Sequence, residues 1–322
     1  MNIEDIKKKF EVEMKLVEDF IVKSLYSNID LIGNVGEYVI LYGGKRVRPL
    51  IVMLFSKIFS SDHDKTISMA GAIELIHTAT LLHDDVVDLS DKRRGKITVN
   101  NLWGNKEAIL VGDFLYTRAF QMMVNVDNLN ILKLMADTTN IMSEGEVYQL
   151  VNRSNFDIKE SDCLNIIKCK TAQLFAASAS VSPILSNLQD ELKIAAFNYG
   201  MYLGIAYQLV DDFLDYSTDD VRFGKNIATD IKSSTFTLPL IYFMNESNSN
   251  KIFVKNILSR DFTSDDVLDI RNNVLKSNAL NYTFNLASDY ADLAKKAILS
   301  IPESKYTHLA LSLIDFVLNR KY

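Results

Sequence analysis

Apolar residues recur at spacings of three and four along almost the whole 322-residue chain, and strict alternation of apolar with polar positions is rare. That periodicity is the signature of amphipathic helices rather than strands. The first run, Ile3 to Leu25, carries Ile6, Phe10, Met14, Leu16, Val17 and Phe20 at helical spacing. Gly43-Gly44 interrupts the pattern ahead of a second run from Arg48 to Phe59, and a long helix is expected from Thr66 to Asp88. Lys92 to Asn101 reads as a loop. Further helices are expected over 105–125, 128–150, 160–180, 188–216, 235–245, 265–276, 279–299 and 304–319, with Pro183 and Pro302 marking breaks between helices. No stretch has the composition of a linker. The expectation is one all-α domain over residues 1–322, a large helical bundle.

Composition narrows this without redirecting it. Only 12 Gly and 4 Pro punctuate the chain, which fits few turns and long helices. A hydrophobic share of 48% against 24% charged excludes a disordered chain. The net charge of −6 argues against nucleic acid as a partner, since phosphate-backbone binding needs a basic face. Cys163 and Cys169 match no metal-ligand spacing and, being so few, fit a reducing compartment. The start of the chain lacks the apolar core of a signal peptide, and no apolar run is long enough to span a membrane, so a cytoplasmic protein is expected.

The chemistry is concentrated in a duplicated acidic pattern. Asp84-Asp85-Val86-Val87-Asp88 and Asp211-Asp212-Phe213-Leu214-Asp215 lie 127 positions apart, each at the end of an apolar helical run. Basic residues follow both: Arg93-Arg94-Gly95-Lys96 after the first, and Arg222, Gly224 and Lys225 after the second. On a helix, positions i and i+4 are about 40° apart and i+3 about 60° the other way, so each triad shares one side. His77 lies seven residues before Asp84 and Gln208 seven before Asp215, near the same stripes. Each helix and loop of an up-down bundle takes roughly 30 residues, so about four legs separate the boxes and bring both to one mouth.

Six carboxylates gathered there would repel one another unless cations lay between them. Aspartate oxygens without clustered Cys or His suit Mg²⁺, which binds one or two carboxylates together with substrate phosphates. The plainer reading is a pair of solvated acidic helix ends, but acids at a helix C-terminus oppose the macrodipole. Repetition with matching basic followers favours a site that clamps a polyphosphate. His83-Asp84 also suggests a metal-dependent phosphohydrolase, but only His63, His77 and His308 remain to complete it.

In order along the chain come Gly43-Gly44-Lys45-Arg46-Val47-Arg48-Pro49, His77, Leu81-Leu82-His83-Asp84-Asp85-Val86-Val87-Asp88 and Arg93-Arg94-Gly95. Gly112-Asp113-Phe114-Leu115, Glu144-Gly145-Glu146, Lys170-Thr171, Gln208-Leu209-Val210-Asp211-Asp212 and Thr237-Leu238-Pro239-Leu240 follow. With this series the chain resembles the trans-polyprenyl diphosphate synthases over nearly its full length, and within them the octaprenyl branch of bacterial quinone biosynthesis. The resemblance implies an isoprenoid-synthase bundle around a deep apolar pocket, a homodimer, and a product handed to membrane enzymes. It implies head-to-tail condensation of isopentenyl diphosphate onto an allylic diphosphate such as farnesyl diphosphate, with three Mg²⁺ per active site.

Under the resemblance, Asp84, Asp88 and Asp211 hold the metal, with Asp85, Asp212 and Asp215 as supporting or alternate ligands. Arg93 meets the allylic diphosphate, while Lys45, Arg48, Arg94 and His77 neutralise isopentenyl diphosphate. Lys170, Thr171 and Gln208 line the reacting end, and Lys225 lies over the diphosphate. Ala79 and Thr80 are small where short-product relatives carry aromatics, so the chain passes them towards a floor at Met123, Leu132 or Met135. The pattern departs from the family after Gly224-Lys225. Ala228, Asp230-Ile231 and Ser234-Thr235 stand where a Gly, an Asp-Leu and a Gly-Lys are usual, and Ile97 replaces a proline. Two other functions compete. A non-catalytic partner subunit would lack aspartates from one box, and a class I terpene cyclase would replace the second box with an Asn/Ser/Glu pattern. Neither matches the six aspartates.

Overall fold

A computed structural model describes residues 3–41, 44–93, 95–217, 231 and 235–320. These residues are almost entirely helical. The elements are α1 (Ile3–Lys9), α2 (Glu11–Ser24), α3 (Asp30–Leu41), α4 (Val47–Phe59) and α5 (His63–Val87). A two-residue hairpin, β1 (Lys92–Arg93) paired antiparallel with β2 (Lys96–Ile97), leads to α6 (Val99–Leu102), α7 (Asn105–Asn125) and α8 (Leu129–Val151). Then come α9 (Glu160–Ile167), a π-helical turn Lys168–Ala172, α10 (Gln173–Leu185) and α11 (Asp190–Ser217). The chain closes with α12 (Leu238–Glu246), α13 (Asn248–Leu258), α14 (Ser264–Lys276), α15 (Ala279–Leu299) and α16 (Lys305–Asn319).

The central helix is α5, and its sequence says why. From Thr66 to Ile76 every residue is buried, including Gly71, Ala70, Ala72 and Ser68. A helix that is small and apolar all round can be packed on every side. It is started by Asp62, whose carboxylate accepts the Lys65 amide at 2.9 Å, and it packs against α2, α4 and α7. The second long helix, α11, packs against α10 and α15. One apolar cluster lies around α2, α4, α5, α7, α8 and α10, and a second around α9, the later part of α11 and α12 to α15. Both long helices end at the mouth between them.

Several expectations change. The first helix breaks at Phe10, whose φ of −117° and ψ of 18° leave the helical region. The bend lets α1 pack against α16 while α2 packs against α5. Helices α3 and α13 were not anticipated: Gly33 and Gly36 blur the first, and the Asn/Ser-rich start of the second hides it. Lys92–Asn101 is a hairpin and a helical turn, with Gly95 at φ +76° supplying the left-handed corner. Pro183 does not separate helices. It lies within α10, two residues from its end, so only the last turn loses a hydrogen bond. Pro302 does fall between α15 and α16. Among the described residues no helix is long and apolar enough to cross a membrane.

Candidate active site

A cavity of about 460 Å³ opens where α4, α5, α8, α10 and α11 converge. Asp84, Asp85 and Asp88 line it from the last turn of α5, and Asp211 and Asp212 from α11. The four legs between them are α7, α8, the α9–π–α10 rod and α11, so the two boxes return to one mouth as the length argument expects. Lys45, Arg48, His77, Arg93, Lys170, Thr171 and Gln208 line the same space.

Local backbone features aim these side chains. Lys170 and Thr171 fall in the π turn, where one extra residue per turn rotates the following side chains relative to an α-helix. Close approach of neighbouring helices then fixes them. A Cβ on Gly145 of α8 would stand 2.5 Å from the Cβ of Cys169, and one on Gly204 of α11 would stand 2.6 Å from the Cα of Ala172. Only glycine admits backbones this near. The result is a relay between helices: the Thr171 hydroxyl donates to Gln208 Oε1 at 2.9 Å, and Gln208 Nε2 donates to Asp212 Oδ1 at 2.9 Å.

The basic loop before α4 is held from below. Arg46 has left-handed φ and ψ of 47° and 40° and ion-pairs with buried Glu74 at 2.5 Å. It also donates to the Ile40 carbonyl at 2.9 Å. This anchor lets Lys45 and Arg48 face the cavity, with the Arg48 guanidinium 4.7 Å from the Phe175 ring centroid.

Cations stand on the acids. Arg93 pairs with Asp85 at 2.9 Å, Lys170 with Glu146 at 2.7 Å and Arg320 with Asp211 at 2.8 Å; Arg153 pairs with Asp88. Burial raises the Asp84 carboxyl above its usual range, against the attraction of Lys170. Burial likewise raises Asp85, against Arg93, and Glu146, whose rise is increased by Asp84. Asp212 is pushed up to about 7, chiefly by burial. Crowded, desolvated carboxylates of this kind gain from an added cation. Among the described residues no group of three or more His, Cys, Asp or Glu side chains stands ready to enclose a metal ion. The available oxygens come one or two at a time, which suits Mg²⁺ when phosphate oxygens and water complete its shell.

Not every residue singled out from the sequence reaches the cavity. Asp215 is half-buried on α11 but outside the lining. Of the five residues expected along the path of a growing product, Thr80 lines the cavity, whereas Ala79, Met123, Leu132 and Met135 pack in the apolar core instead. Thr80 donates its hydroxyl to the His77 carbonyl at 2.9 Å. Gly43, Arg94, Arg222, Gly224, Lys225, Ala228, Asp230 and Ser234 lie outside the described residues. Sequence reasoning gave no role to Glu146, Arg153, Arg320 or Glu74. A signal existed for two of them: Met142, Glu146, Gln149 and Arg153 follow at spacings of four, three and four, and all line the cavity from α8 and the turn after it. Arg320 and Glu74 carry no such signal.

A family model for polyprenyl synthetase matches residues 29–274. The chain is 38% identical to octaprenyl diphosphate synthase of Haemophilus influenzae over 323 residues, covering 100% of this chain and 98% of the relative. It is also 38% identical to octaprenyl diphosphate synthase of Escherichia coli, covering 99% of each. The fold is similar to that of polyprenyl synthase from Caulobacter crescentus CB15 complexed with calcium and isoprenyl diphosphate, with a TM-score of 0.95 at 35% identity, covering 100% of this chain and 98% of that one. A decaprenyl diphosphate synthase from Rhodobacter capsulatus gives a TM-score of 0.92 at 32% identity, covering 98% of each chain.

Proposed function

The chain belongs to the polyprenyl synthetase family and is a trans-prenyltransferase, and from that premise we propose that it condenses isopentenyl diphosphate with an allylic diphosphate, farnesyl diphosphate by preference, to build an octaprenyl diphosphate. The observation that carries the reading is the single cavity on which both Asp boxes and the cations Lys45, Arg48, Arg93 and Lys170 converge.

Asp84, Asp88 and Asp211 would hold Mg²⁺, three ions per site, with Asp85, Asp212 and Asp215 in support. Mg²⁺ held there would supply the charge neutralisation that the diphosphate leaving group needs for the allylic C–O bond to ionise. Arg93 binds and orients that diphosphate. Lys45, Arg48 and His77 bind the diphosphate of the second substrate, the arginine fork matching its oxygens. Arg94 and Lys225 are assigned to the two diphosphates on the sequence pattern alone. Thr171 and Gln208, fixed by the hydrogen bond from the Thr171 hydroxyl to Gln208 Oε1, would line the reacting end, where side-chain oxygens stabilise a developing allylic cation. The double bond of isopentenyl diphosphate attacks the cation, and a proton passes to the departing diphosphate. The product is an allylic diphosphate one unit longer, so the cycle repeats.

Residues 1–322 act as one catalytic unit in this reading, paired in a homodimer in the cytoplasm, with the product passed to membrane enzymes for a quinone side chain. Exposed Leu110, Val147, Leu150 and Val151 on α7 and α8 support pairing, since side chains of this size favour a covered face. Incubation with farnesyl diphosphate, labelled isopentenyl diphosphate and Mg²⁺, followed by sizing of the extracted alcohols, tests the assignment. An eight-unit product is expected; absence of elongation defeats the reaction, and a different length defeats only the product.

A further inference from the structure

Two cations, Arg153 lining the cavity and Arg320 buried outside its lining, sit on the very aspartates assigned to the metal. The Arg153 guanidinium pairs with Asp88 and also reaches the Val87 carbonyl at 3.4 Å. Arg320, its side chain 1% exposed, bonds Asp211 at 2.8 Å and the Tyr207 carbonyl at 2.5 Å, with its guanidinium 3.8 Å from the Tyr207 ring centroid. They come from opposite sides. Arg153 lies in the turn that follows α8, and Arg320 follows α16. Neither role requires contact with the reacting carbons.

We propose that Arg153 and Arg320 are positioning residues that occupy the metal-binding carboxylates of the two Asp boxes until a diphosphate arrives, making metal loading conditional on substrate. The inference rests on the reading of the boxes as a metal site. Its physics is competition. A divalent cation approaching Asp88 or Asp211 alone meets a carboxylate already hydrogen-bonded to a fixed positive charge. It must displace that bond, or bind beside a like charge in a poorly solvated cavity. A diphosphate changes the balance. Its negative oxygens supply the Arg153 guanidinium with new acceptors, offset the charge of Arg320 and give the metal most of its shell, so the carboxylates are released to the ion. The same ion pairs offset the mutual repulsion of the carboxylates. Arg153 is the more exposed partner, its side chain 23% exposed, and it lines the cavity where a diphosphate could take it. Arg320 is held by its neighbours and acts by its charge.

The test is equilibrium dialysis of the full chain against Mn²⁺, alone and with inorganic pyrophosphate matched on both sides. Arg153→Gln and Arg320→Gln should each bind Mn²⁺ alone about tenfold more tightly than the unchanged protein, the effect of losing a competing charge-assisted hydrogen bond. With pyrophosphate present, that advantage should shrink to less than about threefold. Arg153→Lys keeps the charge and should behave as the unchanged protein. A merely structural arginine would give the opposite, weaker metal binding in both conditions. Unchanged or weaker binding of Mn²⁺ alone overturns the proposal, and so does a gain of equal size with and without pyrophosphate. Near-ultraviolet circular dichroism checks folding; if buried Arg320→Gln unfolds, the Arg153 pair decides the question alone. Failure of the unchanged protein to retain Mn²⁺ even with pyrophosphate would overturn the metal-site reading and this inference together.

Discussion

At the residue scale, Asp212 shows how the site stores its need for cations. Its carboxyl is pushed up to about 7 by burial, an effect the Gln208 hydrogen bond opposes and Asp211 and Asp215 reinforce. Between the ordinary carboxylate value and about 7, the folded metal-free protein therefore keeps a proton that the unfolded chain has released. Stability from this group is present at low pH and is lost as pH rises through that window. Asp84, Asp85 and Glu146 are raised in the same sense. Melts of metal-free protein should show Tm falling from about pH 5 to about pH 8, and Asp212→Asn should flatten that slope; a Tm that rises over the same interval would contradict the sign. Asp84→Ala should leave the fold intact and lower kcat by about 10³ or more, because it removes a carboxylate proposed to hold the metal that neutralises the leaving group. Near-normal turnover would remove Asp84 from the metal set. The aspartates were legible in the sequence because their spacing places them on one helix face. Their partners Arg153 and Arg320 were not, since those ion pairs join residues 65 and more than 100 positions away.

At the element scale, the site depends on how closely α10 and α11 approach. A Cβ on Gly200 would lie 2.4 Å from the Phe175 carbonyl oxygen and 2.6 Å from the Ala176 Cα. Backbone atoms cannot swing aside as a side-chain end can, so Gly200→Ala should push the helices apart at a cost of about 1–3 kcal/mol. Denaturant unfolding measures that cost. The Thr171–Gln208 contact lies on the same interface, so kcat should fall with it; wild-type stability would refute the close contact. Helix existence was readable for most of the chain, with Asn105–Asn125 and Ala279–Leu299 expected at their observed limits. The π turn was not, because its residues Lys168–Ala172 continue the helical periodicity on both sides. It is packed tertiarily: α8 and α11 approach that turn closely at Gly145 and Gly204.

At the scale of the whole molecule, the two Asp-bearing helices meet because four legs of the bundle return the chain to one mouth. In the proposed reading, the space below them governs how far a product can grow. Thr80 lines the cavity while Ala79, one residue earlier and fully buried, does not. Thr80→Tyr should therefore shorten the product, read by sizing the extracted alcohols; an unaltered length distribution would move the limit elsewhere. The one-residue difference illustrates the division of labour in this protein. Helical periodicity, the doubled Asp pattern and the ordered motifs are properties of neighbours in the chain, governed by 3.6 residues per turn, so the all-α class, the family and the acidic faces follow from sequence alone. Which side of α5 opens onto the cavity, which distant arginines neutralise Asp88 and Asp211, and where the backbone tightens into a π turn depend on contacts between segments far apart in the chain. Those are set by packing, and only the folded molecule brings them together.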